Sequence, residues 1–110
     1  MKSAMGGLLK QAQKMQQEIE RIQNELANMK IEGSAGGGMV TAVASGSQEL
    51  LEVKIDPEVV DPQDVEMLED LVLAAVNQAL ENAKAKAESE MAKATGGLMP
   101  NFGGVKIPGL

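Results

Sequence analysis

Apolar side chains recur at Leu8, Ala12, Met15, Ile19, Ile22, Leu26 and Met29, in steps of 4, 3, 4, 3, 4 and 3. This is a heptad seam, and it predicts a helix over about 8–29 with one apolar stripe. At ~1.5 Å per residue that helix is 33 Å long. The seam asks for a partner helix, from the same chain or from a second copy. The period changes at Ile31. Leu51, Val53 and Ile55 alternate with Glu52, Lys54 and Asp56, as in a half-buried strand. Val40, Ala42 and Ala44 alternate with Thr41, Val43 and Ser45. Between the two runs, Ser45-Gly46-Ser47-Gln48 predicts a hairpin turn with Gly46 at positive φ. Residues 31–34 extend the strand region, about 31–56, by a third, short strand.

Two Asp-Pro pairs follow. Asp56-Pro57 predicts a single turn. Asp61-Pro62 predicts the start of a long helix, with Asp capping free amides, Pro at the first helical position and Asp64 favoured by the helix dipole. Val65, Leu68, Val72, Ala75, Ala79, Ala83, Ala87, Met91 and Ala94 continue at helical spacing until Thr95-Gly96-Gly97 ends the run. This second helix, about 62–94, is ~50 Å long, whereas strands of about seven residues span ~24 Å. The surplus helix, lined by alanine, must project or pack against the first one, and a projecting apolar arm invites a second copy. Residues 1–97 thus form a single domain. Residues 98–110, rich in Gly and Pro and carrying Phe102, read as a flexible tail.

Composition narrows the chemistry. Among 110 residues, 44% apolar, there is one aromatic and there is neither cysteine nor histidine. The core must be thin. Disulfides, cysteine nucleophiles, the usual zinc sites and histidine acid–base pairs are excluded, and nothing marks the chain as an enzyme or points to a cofactor, a metal or a small-molecule substrate. The longest apolar run, 71–76, is too short to span a bilayer, and the chain reads as soluble and cytoplasmic. The net charge of −6 is polarised. Residues 1–17 carry Lys2, Lys10 and Lys14 and no acid, while residues 56–70 carry seven acids and no base.

Three constellations remain. The segment GSAGGGMVTAVASGS, 33–47, holds five of the twelve glycines, but no Lys-Ser/Thr follows them and they lead into a strand. They read as a tight connection between strands and not as a phosphate loop. The acids of 56–70 lack calcium-loop spacing and read as a solvated face. The basic stripe is different. At about 100° per residue, Lys10, Lys14, Gln17 and Arg21 fall within about 60° of one another, opposite the seam. Doubled by a two-fold axis, the stripe suits phosphates on either side of a duplex. Lys86 and Lys93, on one face of the second helix, extend it.

The opening LLKQAQKMQQEIERIQNEL, the glycine-rich segment, VKIDP and EMLEDLVLAAVNQAL together resemble the YbaB/EbfC family of bacterial nucleoid-associated DNA-binding proteins, from about Gly6 to Met99. The resemblance implies an α+β fold, an α-β-β-β-α protomer with a small antiparallel sheet and two long projecting helices, in a tweezers-like homodimer. It implies binding of double-stranded DNA, a change in DNA conformation, and a role in nucleoid organisation and gene expression, in the cytoplasm at the nucleoid. Lys10, Lys14, Gln17 and Arg21, extended by Lys86 and Lys93, are the candidate DNA contacts, bound mainly to phosphates. Leu8, Met15, Ile19, Ile22, Leu26 and Met29 are the candidate core or dimer seam. The same ingredients also describe a prefoldin-like scaffold or holdase that grips protein clients.

Overall fold

In the computed structural model, which describes residues 2–96, helix α1 runs over Lys2–Ala27. It starts before the predicted Leu8, passing through Gly6 and Gly7. Each glycine costs a helix ~1 kcal/mol, which a long, cooperatively propagating segment absorbs. It ends at Ala27, not Met29. There the Asn28 and Met29 N–H groups donate to the carbonyls of Glu25 and Leu26, both at 3.1 Å, and the Asn28 side-chain amide donates to the Asn24 carbonyl at 3.0 Å.

Three antiparallel strands follow in spatial order β1-β2-β3: β1 Lys30–Ala35, β2 Val40–Ser45 and β3 Leu50–Ile55. The glycine cluster makes the β1–β2 turn. Gly36, Gly37 and Gly38 have φ of 63°, 68° and 96°, a run of left-handed backbone that side chains with a Cβ resist. The β2–β3 turn departs from expectation, because Gln48 carries the positive φ of 66° and Gly46 does not. Gly46 is glycine for another reason. A Cβ there would stand 2.7 Å from the Leu26 carbonyl oxygen, to which the Gly46 N–H donates at 2.8 Å. The residue joins the sheet to the end of α1.

Asp56 caps the predicted single turn, a 3-10 helix over Pro57–Val59, accepting from the Glu58 N–H at 3.0 Å. The second Asp-Pro pair plays a smaller part than its sequence suggests. Asp61 folds a turn, accepting from the Gln63 N–H at 2.9 Å. Helix α2, Val65–Gly96, starts behind Asp64, whose carboxylate accepts from the Met67 N–H at 3.2 Å. Both Asp residues can bind amides two or three positions on, and only the one nearer the apolar periodicity opens the helix.

The α2 helix lies across β1 and β2. Val40, Ala42 and Ala44 on the sheet meet Ala75, Ala79 and Ala83 on the helix, with Val59 closing one side. Small side chains on both layers bring the backbones close. A Cβ at Gly33 would stand 2.8 Å from the Ala75 carbonyl oxygen and overlap the backbone of Ala79. The helix does not cover β3. Every β3 residue is exposed, where alternation predicted a half-buried strand. Its register places Ile55 opposite Val40, Val53 opposite Ala42 and, past a bulge, Leu50 opposite Ala44, so the three apolar side chains share the inner face, where α2 borders the strand only at one end, near Ile55.

Past the sheet, α1 and the C-terminal part of α2 lie side by side, Glu18, Ile22 and Glu25 beside Glu90 and Ala94. The longest dimension is 74 Å, whereas the 32 residues of α2 span only ~48 Å at the α-helical rise. The first 16 residues of α1 add ~24 Å. The N-terminal half of α1 therefore extends beyond the end of α2. Residues 97–110, including the predicted tail, lie outside the described residues.

Candidate nucleic-acid interface

The elongated arm sorts the six predicted cation and amide positions into two groups. Lys10, Lys14 and Gln17 are exposed on the projecting half of α1, and no acid precedes Glu18 in that helix. Among the described residues neither lysine has an ion-pair partner. Arg21, on the same face, is held from both sides along its own helix. One guanidinium nitrogen is 2.5 Å from the Glu18 carboxylate and another 2.6 Å from that of Glu25. Hydrogen bonds donated by Arg21 to Glu18 and then to Glu25 raise its pKa above the ordinary value. Its charge is compensated before any ligand arrives.

Lys86 and Lys93 meet at one carboxylate. Each ammonium lies 3.3 Å from Glu90, and hydrogen bonds from Lys86 and then Lys93 hold that carboxyl below the usual carboxylate range. The two lysines keep one net positive charge between them. These compensating acids are legible as i,i+3 and i,i+4 spacings (18, 21, 25 and 86, 90, 93) but stood outside the predicted stripe.

The seam is buried only in part. Ile22 and Leu26 are buried, and Met15, Ile19 and Met29 are half-buried. Leu8, where α1 projects, is 69% exposed. A groove between the helices, lined by Glu18, Arg21, Ile22, Glu25, Glu90, Lys93 and Ala94, is open and charged. The seven acids of 56–70 are exposed, and three of them, Asp56, Asp61 and Asp64, are engaged as caps of turns or of α2. Among the described residues no three His, Cys, Asp or Glu side chains converge as a metal site, and no helix is long and apolar enough to cross a membrane.

An arm with cations at its projecting end and apolar small residues at its base can meet a polyanion without burying charge. The sequence model of the YbaB/EbfC DNA-binding family matches residues 1–98. The chain belongs to that family. It is 57% identical over 106 residues to the nucleoid-associated protein TTE0040 of Caldanaerobacter subterraneus, covering 96% of this chain and 89% of the relative. It is 56% identical to a nucleoid-associated protein of Acetivibrio thermocellus, again over 106 residues, covering 96% and 88%. Among solved structures, the uncharacterized protein HP0035 of Helicobacter pylori superposes with a TM-score of 0.64 at 24% identity, over 79% of this chain and 88% of that one, a likeness of fold. The YbaB/EbfC chain accordingly shares its family with proteins named as nucleoid-associated, and it carries a helix, three antiparallel strands and a long helix.

The sheet edges of this YbaB/EbfC protein carry a signal that sequence reasoning missed. The outer edge of β1 is capped by α2. The Ser34 N–H donates to the Gln78 side-chain oxygen at 2.7 Å, and the Asn82 side-chain amide donates to the Glu32 carbonyl at 2.9 Å. Both partners are more than 40 positions away in sequence, so only the folded chain reveals them. Among the described residues no side chain caps the outer edge of β3. Beside it, Ile55, Leu68, Glu69, Val72, Leu73 and Val76 line an apolar cleft of about 470 Å³.

Proposed function

We propose that the protein binds double-stranded DNA as a homodimer, chiefly through phosphates, changes the conformation of the duplex, and so serves nucleoid organisation and gene expression in the cytoplasm. The observation that carries this reading is the pair of unpartnered lysines, Lys10 and Lys14, on an acid-free, projecting half-helix of a DNA-binding family member. Gln17, one turn further on, can bond a phosphate or a base edge. Arg21, Lys86 and Lys93 contribute less, because Glu18, Glu25 and Glu90 already compensate them. The exposed acids of the body face a polyanion unfavourably, which leaves contact to the arms.

The homodimer in this reading forms at β3. One sheet edge is capped and the other is open, and an open apolar edge is a template for another strand. Leu50, Val53 and Ile55, with Leu73 of α2, are exposed by 43%, 37%, 39% and 60%. A second copy on that side would cover them and continue the sheet, leaving both pairs of arms free.

The test is a titration of a short duplex at several salt concentrations, with the mass in solution measured alongside. A dimer whose affinity falls steeply with salt supports the reading. Absence of binding at low salt overturns it, and suppression of client aggregation at any salt would establish the holdase instead.

A further inference from the structure

The projecting half of α1 exposes an apolar stripe that the rest of the described chain does not reach. Ile22 and Leu26 are buried, but along the same seam Ile19 and Met15 are half-buried, and Ala12 and Leu8 are exposed. Cover runs out because α2 ends at Gly96, with Ala94 beside Ile22 and Glu18. Helix α2 therefore ends where the uncovered seam begins, its axis directed along α1 towards the N-terminus of that helix.

Residues 98–110 have the composition to fill that stripe. They carry Leu98, Met99, Phe102, Val105, Ile107 and Leu110, one cation in Lys106 and no acid. Pro100, Gly103 and Gly104 oppose a helix, and extended chain advances ~3.3 Å per residue. Residues 97–102 then reach ~20 Å, while the seam from Ile19 to Leu8 is ~16 Å long. Phe102, the one aromatic side chain of the protein, can thus reach Leu8. Composition gives this segment no core of its own, whereas the seam offers it one.

We propose that residues 98–105 dock in extended form on the Leu8–Ala12–Met15–Ile19 stripe of their own chain, with Phe102 against Leu8. Tethering at the end of the stripe favours this occupant over a second copy, since a short flexible link sets an effective concentration in the millimolar range. The lysine stripe lies on the opposite face of α1, so docking leaves Lys10 and Lys14 free for phosphate. The docked segment straps the projecting half of α1 to the end of α2 and hides an apolar tip that would otherwise invite association.

The chain has no Trp or Tyr, so Phe102→Trp places a single reporter in the full-length protein. Docking predicts emission shifted to the blue of free tryptophan and protected from iodide. Adding Leu8→Gln and Met15→Gln should move it back, with helix content unchanged by circular dichroism. Emission at the free position in Phe102→Trp alone overturns the proposal. So does a blue shift that the α1 changes leave intact, or one that vanishes on dilution, which would assign the stripe to a second copy. A second measurement does not depend on those α1 variants folding. In this cysteine-free chain, Leu8→Cys with Phe102→Cys should form an intramolecular disulfide about tenfold faster than Lys10→Cys with Phe102→Cys, because docking raises the local concentration on one face only. Equal rates overturn the proposal.

Discussion

The division between unpartnered and compensated cations can be read in a salt slope. A dimer presents Lys10 and Lys14 twice, four charges with no acid of their own. Each neutralised phosphate contributes ~0.9 to the slope of log affinity against log salt, which makes the parent slope about −3.6. Raising salt from 50 to 200 mM should then weaken binding about 150-fold. Lys10→Ala with Lys14→Ala should abolish most of that dependence. Both residues are exposed, so the helix should lose little stability. The converse change is more diagnostic. Glu18→Gln with Glu25→Gln removes the two carboxylates at 2.5 and 2.6 Å from Arg21. The released guanidinium can then reach phosphate, and two per dimer should steepen the slope by about 1.8. The assay is fluorescence anisotropy of a labelled short duplex at four salt concentrations, with folding checked by circular dichroism. If the folded lysine variant keeps the parent slope, or the glutamine variant leaves it unchanged, the assignment of contacts to the arm is wrong.

Three further perturbations probe the scaffold. Leu73→Lys puts a charge in the β3-side cleft at a position 60% exposed in the protomer, so the chain should fold normally and sediment as a monomer. A dimer of undiminished stability would move the interface elsewhere. Gly33→Ala drives a methyl group into the α2 backbone near Ala75 and Ala79, and should cost about 1–3 kcal/mol of stability by overpacking, read as a lowered midpoint in urea. Glu90 titrates below the ordinary carboxylate value because Lys86 and Lys93 bond its charged form. The stability it contributes is complete above the unfolded carboxyl pKa of about 4.3 and is lost as pH falls through the lower folded value. Glu90→Gln should therefore flatten the acid side of the urea-midpoint profile below that pH, while leaving Lys86 and Lys93 free to strengthen DNA binding.

Much of this architecture is legible in local pattern. The heptad of α1, the alternation in β2 and β3, the capped turn at Asp56 and the glycine turn at 36–38 each rest on residues within one or two turns of chain. Where the sequence misleads, distant partners decide. Gly46 is glycine because Leu26 lies against it, and not because the turn bends there. Asp61 and Asp64 are equally good caps by type, and the apolar face of α2 selects the second. The pattern of β3 promises one buried face, and the single chain leaves it exposed because α2 lies mainly over β1 and β2 and only borders β3. The lysine stripe shows the opposite case. Its positions were readable from the helical period, and so was the compensation of Arg21 and of Lys86 and Lys93, once acids three and four residues away are counted.

The uninterrupted course of α2 has a mechanical meaning. One rigid rod runs from the floor of the sheet to the arm without a proline or a hinge glycine before its end. Its alanine ridge seats it against Gly33 with no slack. It therefore works as a lever whose fulcrum is the sheet. Over the ~20 Å of helix from Ala83 to Gly96, a tilt of about 5° at the sheet displaces the far end by about 2 Å. In the proposed dimer, small adjustments in how two copies meet at that base would be magnified at the far ends of the helices.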